Sequence, residues 1–238
     1  MKKFSPGLIP TLTTVPVVMI LLALCVWQID RYSWKIDLID KINSQLAAAP
    51  VEMPMGELVP ADWQYRRVSL TGTFDHSKEI HLFAVADPGR EGFQIITPFI
   101  RAGTGEVVLV NRGWVPKDNV DPSTRREGQL DGEMTVTGIV REPYGKDWSF
   151  MPDNNPEKNV WLYRELKLMA AHLNLEVAPV FVELDKSDIP GGLPIGGQTR
   201  VSLPNNHIQY AFTWFGLAIA MLVIFVIYGL KRGQPDQD

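Results

Sequence analysis

Two stretches of this chain, residues 4–29 and 208–230, contain no charged side chain. A helix needs about 20 apolar residues to cross a bilayer core, and each stretch is long enough. Both are rich in Leu, Ile and Val, with Trp27 near the end of the first and Tyr210, Trp214 and Tyr228 in the second. Such rings, half apolar and half polar, favour the membrane–water interface. The pattern predicts transmembrane helices at residues 8–29 and 207–230, short tails at 1–7 and 231–238, and a mixed-polarity domain at 30–206. A cleaved signal peptide is the competing reading of the first stretch. The start "MKKFSPG" suits it, but the apolar run is too long and no small-x-small site follows. Leu24 is a poor residue before Cys25 in a lipoprotein site.

Basic residues do not decide orientation. Lys2, Lys3, Lys231 and Arg232 flank one side of the spans, and Arg31, Lys35, Lys41 and Arg200 the other. The short tails favour both ends in the cytoplasm and the middle domain outside. Hydrophobic content of 45% and charge of 21% fit neither a disordered chain nor a polytopic transporter. The net charge of −4 argues against a nucleic-acid partner. Cys25 is the only cysteine, so no disulfide can form within the chain.

After the first span a polar helix is expected to about residue 49, with Trp27, Arg31 and Trp34 on one face and Pro50, Pro54 and Pro60 ending it. Short alternating segments follow: "RRVSLTGTF", with a bulge or bend at Gly72, then "EIHLFAV", "FQIITPFI", "EVVLVNRGWV", "EMTVTGIVRE", "VWLYR" and "PVFVELD". "RELKLMAAHLN" is the one good soluble helix, with Leu166, Met169, Ala170 and Leu173 on a face. "IPGGLPIGGQTR" reads as a flexible return loop. The fold class is a membrane α+β protein: two transmembrane helices flanking a small antiparallel β-barrel or sandwich with one helix.

Signals for catalysis are weak. There is no HExxH, GxSxG or Walker lysine, so the chain is read as no enzyme. His76 and His81 are read as solvated or sheet-face residues. In "VLVNRGWVP", Arg112 and Trp114 could grip a partner, or form a turn in which Trp114 covers the core and Arg112 pairs locally; the residues by themselves favour the local reading.

His207 stands at the mouth of the second span. On a helix it shares a stripe with Tyr210, Ala211, Trp214 and Ala218. The first span exits where the second enters, so Trp27, Gln28 and Arg31 lie at a similar depth. Polar groups there usually have a specific partner. A haem would account for the set: His207 as axial iron ligand, Trp27 and Trp214 flanking the macrocycle, Arg31 meeting the propionates. An interfacial histidine bonded to a carbonyl or a lipid headgroup accounts for it as well, and spacing leaves both open.

The stretches "CVWQIDRYSWK", "QYRRVSLTGTF", "GFQIITPF", "VLVNRGWVP" and "NNHIQYAFTWFGLA" resemble, in order, motifs of the Surfeit locus protein 1 family of cytochrome c oxidase assembly factors. Cys25-Val26 departs from the Leu-Gly common there. The resemblance implies an assembly factor for a haem-copper terminal oxidase that binds haem a and helps deliver it to, or stabilise it in, oxidase subunit I. It implies two spans with the domain on the periplasmic or intermembrane-space side, and His207 at the family's haem-associated position. Implied partners are subunit I, the haem a synthesis machinery and membrane lipid, with a homo-oligomer left open. Short tails without a transit sequence point to a bacterial inner membrane with the domain in the periplasm.

Overall fold

The computed structural model describes residues 4–86, 89–146, 150, 152–199 and 203–233. Lys2, Lys3 and Arg200, used above to weigh orientation, lie outside the described residues. The chain divides into two compact units, one formed by residues 1–42 with 202–238 and one by residues 43–201.

The first unit is a helix pair. Helix α1 spans Leu8–Ala47, so the apolar stretch and the polar one after it form a single helix. Helix α4 spans His207–Arg232. Both are long and apolar enough to cross a membrane. Their apolar side chains are mostly exposed, among them Leu12, Ile20 and Val26 on α1 and Phe212, Leu217 and Ile224 on α4.

The second unit is built on one eight-stranded sheet. Its strands are β1 (Val51–Glu52), β2 (Arg67–Phe74), β3 (Ile80–Ala86), β4 (Arg90–Arg101), β5 (Val107–Pro116), β6 (Met134–Arg141), β7 (Val160–Trp161) and β8 (Phe181–Leu184). They lie in the order β1-β2-β6-β8-β5-β4-β3-β7, and β2 also pairs with β4. That pairing closes a circuit through β2, β6, β8, β5 and β4. The expected antiparallel barrel or sandwich is corrected to a single mixed sheet: β1–β2, β3–β7 and β5–β8 are parallel. Alternation in a sequence reports which face a side chain takes, not which strand lies alongside or in which direction.

Every strand of the circuit contributes to one core, which includes Val68, Leu70, Phe99, Val108, Val140 and Val182. The opposite face of β5 and β8 supplies Leu109 and Phe181 to a second core. Helix α3 (Leu166–Leu173) covers that core with Met169 and Leu173, as its apolar spacing predicts. Neighbours such as Val108 and Leu109 therefore belong to different cores, because strand side chains alternate. Strands buried on both faces suit the parallel pairing of β5 with β8.

Three local expectations are corrected. Pro60 does not end a helix; it opens α2 (Pro60–Trp63), where a missing N–H costs nothing. Gly72 is no bulge: it lies in register between Arg101 and Met134, and a Cβ there would overlap the Ile100 carbonyl. The return loop is held rather than free. Trp114 and Ile195 exchange backbone hydrogen bonds of 2.9 and 2.8 Å, and Gly197 N–H donates to the Leu184 carbonyl at 2.9 Å.

Candidate functional site

The inward faces of α1 and α4 are narrow. On α1, Thr11, Thr14, Val18, Leu21, Cys25, Gln28 and Tyr32 are buried or half-buried, with exposed residues between most of them. On α4 the same holds for His207, Ala211, Trp214, Ala218, Met221, Phe225 and Gly229. Steps of three and four keep each set on one stripe. The small side chains Ala211, Ala218 and Gly229 are the fully buried positions of α4, as close helix packing requires.

Specific contacts tie both ends of the pair. At one end Phe4 stands edge-on to Phe225 at 5.7 Å, Ser5 N–H donates to the Gly229 carbonyl at 3.0 Å, and Arg232 Nη1 donates to the Pro6 carbonyl at 3.1 Å. At the other, Asn205 Nδ2 donates to the Tyr32 carbonyl at 3.3 Å, and His207 Nδ1 meets Gln28 Oε1 at 2.7 Å. A carboxamide oxygen only accepts, so Nδ1 donates in this contact, and Nε2 is the ring nitrogen not engaged by Gln28. No protein partner for Nε2 is seen among the described residues. Trp214 Nε1 and Asn205 Oδ1, also buried, have no hydrogen-bond partner among the described residues.

The other residues expected around His207 are placed differently. Tyr210 is 54% exposed and Trp27 53% exposed, so neither is on the inward stripe. Arg31 lies over the Trp34 ring at 4.3 Å. The structure joins His207 to Gln28 and leaves Trp27, Arg31 and Tyr210 on outward faces. The expected stripe is corrected in this respect: Tyr210, three residues from His207, is exposed, and the buried stripe runs through Ala211 instead. Gln28, expected at the depth of His207 but with no role at the haem, is the residue that meets it. Its signal was a carboxamide within an uncharged run.

In the sheet unit, Arg112 and Trp114 are not on an exposed recognition loop. Both are interior residues of β5, 1% and 3% exposed. Ile95 pairs with Gly113 and Ile96 with Asn111, which leaves Arg112 as the extra residue of a β-bulge. Bulges re-aim side chains, and Arg112 turns inward. Its Nη2 donates to the Gly128 carbonyl, and its Nη1 to His76 Nδ1 at 3.2 Å and to Gln129 Oε1 at 3.4 Å. Trp114 Nε1 donates to the Ala84 carbonyl at 3.4 Å.

His76 Nε2 donates to the Leu130 carbonyl at 2.9 Å. With a donor at one nitrogen and an acceptor at the other, His76 carries one proton and is neutral. Burial lowers its pKa most; the Leu130 bond opposes this, and the Arg112 charge lowers it further. Burial is also the main cause that brings the Arg112 guanidinium down to about 10, with the Arg125 charge adding to it and Glu79 opposing. Glu79 accepts from Arg125 and from His81, the latter at 2.9 Å. Burial acts to raise the Glu79 pKa, but these bonds and charges outweigh it and the net shift is downward. His81 is a sheet residue of β3, as expected, and bonds Glu79, whereas His76 is not solvated but half-buried against Arg112; the two groups act on each other through charge. Sequence spacing carried no sign of this, since the turn His76–Lys78, β3, β5 and the segment Pro122–Gly128 are brought together only by folding.

A model of the SURF1 family matches residues 15–219. The chain belongs to this family. Human Surfeit locus protein 1 is 40% identical over 225 residues, which cover 88% of this chain and 73% of the human protein. The Takifugu rubripes Surfeit locus protein 1 is 41% identical over 222 residues, covering 87% and 91% respectively. A SURF1-like protein of Monosiga brevicollis is 37% identical over 244 residues, covering 98% and 92%. The SURF1 match encloses Gln28, Arg112 and His207. It also corrects the expected source. The bacterial inner membrane and periplasm are overturned by these relatives, which are eukaryotic chains from human, fish and Monosiga. That expectation rested on the chain's ends, whereas helix length and apolarity obey the same physics in any bilayer.

Proposed function

We propose that this SURF1-family protein is a non-enzymatic assembly factor for a haem-copper terminal oxidase, anchored by α1 and α4 as two membrane spans. It holds haem a through His207 while the group is delivered to, or stabilised in, oxidase subunit I. Two spans put the segment between them on one side of the membrane and both ends of the chain on the other. The meeting of Pro6 with Arg232 supports this.

The observation that carries the reading is the contact of His207 Nδ1 with Gln28 Oε1 at 2.7 Å. Metal-ligating histidines commonly donate their second ring N–H to an acceptor, which fixes the tautomer and the ring plane. Gln28 supplies that acceptor inside an apolar helix pair. His207 would hold the iron, and Trp214 Nε1, without a hydrogen-bond partner among the described residues, would be a donor on the same stripe. Trp27, Arg31 and Tyr210 face outward at the same end of the helix pair, so they would meet the macrocycle or its carboxylates only where these extend beyond the inward stripe. When bound, haem a supplies the redox-active iron that the client oxidase needs. The protein's part is to orient the imidazole, exclude water and present the group. The haem a synthesis machinery and subunit I are its partners in this reading.

The test is the absorption spectrum and haem content of the full chain purified from cells that make haem a. His207→Ala should lose most of the bound haem. Gln28→Leu should retain less than wild type and show an altered Soret band, because the ring is no longer held. Full occupancy with an unchanged spectrum in His207→Ala would exclude ligation by His207 and leave a structural chaperone that holds subunit I without ligating haem.

A further inference from the structure

The core enclosed by the strand circuit has an open end. A cleft of about 320 Å³ lies there, lined by Phe74, Met134, Val136 and Leu184, side chains that pack on that core. Arg112 lines it too, with its guanidinium 5.1 Å from the Phe74 ring centre.

The charge of Arg112 is unlike that of the other buried arginines described. Arg101 pairs with Glu106 at 2.6 Å, Arg125 pairs with Glu79, and Arg164 pairs with Glu183. Among the described residues no carboxylate lies within ion-pair distance of Arg112. Its hydrogen-bond partners are the Gly128 carbonyl, the Gln129 carboxamide and the His76 ring, which its bonds keep neutral. Glu79 acts on it electrostatically but is engaged by Arg125 and His81. A buried cation without a counter-charge is costly and is a mark of a binding site. Its lowered pKa, about 10, still leaves it charged at neutral pH. At the rim, Asp185 is already paired with Arg67 at 2.6 Å, and Lys186 and Asp188 carry opposite charges.

We propose that this cleft binds a small organic anion: an apolar body carrying one carboxylate, which pairs with Arg112 while the body covers Phe74, Met134, Val136 and Leu184. The bulge in β5 turns Arg112 inward, beneath the cleft that it helps to line. The mouth of a closed strand circuit is a common place for such a site, and the volume is at the low end of ligand pockets, which run about 300–1,000 Å³. It suits a single ring or a short chain, not a macrocycle, so this site is separate from His207.

The test is fluorine NMR titration of para-fluorobenzoate into the full chain in detergent, with para-fluorobenzyl alcohol as the uncharged control. Saturable binding of the acid is expected, with the alcohol at least about tenfold weaker. Arg112→Gln should weaken the acid by about tenfold or more. Val136→Trp, which fills the cleft and leaves Arg112 in place, should abolish binding and decides the matter if Arg112→Gln does not fold. His207→Ala should leave the titration unchanged, whatever it does to haem. The proposal is overturned by an absence of saturable binding, by equal binding of the alcohol, by full affinity in Val136→Trp or in a folded Arg112→Gln, or by loss of probe binding in His207→Ala.

Discussion

His76 shows how a residue's surroundings can set its charge. Its ring is bound by a donor on one nitrogen and an acceptor on the other, and its pKa lies below the ordinary 6.5. The unfolded chain therefore takes up a proton first as pH falls. The stability contributed by neutral His76 is full above 6.5 and is lost as pH drops from there towards the folded value. Glu79 acts in the same direction but lower, as pH falls below 4.5. The apparent unfolding midpoint of wild type should thus drop between about pH 7.5 and about pH 5, and that of His76→Gln should drop less. Equal slopes in a thermal-shift series would show that His76 does not titrate on unfolding. The sequence displayed His76 but nothing of this, because Arg112 and Leu130 reach it only through tertiary contacts.

At the scale of elements, β5 has the most to hold together. It is buried on both faces, pairs with β4 and β8, carries the Arg112 bulge, and binds the return loop at Trp114. Gly113 permits the last of these. Its φ is +130°, and a Cβ there would overlap the Ile195 carbonyl. Gly113→Ala should destabilise the sheet unit by about 2 kcal/mol or more, from backbone strain and overpacking together. Denaturant unfolding of the two proteins measures this, and a difference near zero would mean that the loop can shift away. The strand itself was legible in "EVVLVNRGWV". Its bulge and its parallel partner were not, since both depend on the register of segments distant in sequence.

For the whole molecule, the exposed apolar surface of the helix pair is the dominant property. Exposed side chains such as Leu12, Ile20, Phe212 and Ile224 would aggregate in water but are at ease in hydrocarbon. Alkaline carbonate extraction should leave the protein in the membrane pellet, and its release into the supernatant would overturn the two-span reading. The inward stripes carry the specific contacts, from Phe4 against Phe225 at one end to Gln28 against His207 at the other.

Length and apolarity of the terminal stretches, short alternating strands in between, the amphipathic α3 and the family resemblance were all readable from residue order, because each is a local or collinear pattern. Which stripe of each helix turns inward depends on a second helix. That is why Gln28 met His207 while Trp27, Arg31 and Tyr210 stayed outside. Strand direction, closure of the circuit and the unpaired burial of Arg112 likewise depend on residues far apart in the chain. Only the tertiary structure could decide them, since hydrogen bonds and ion pairs act over a few ångströms in space and take no account of distance along the sequence.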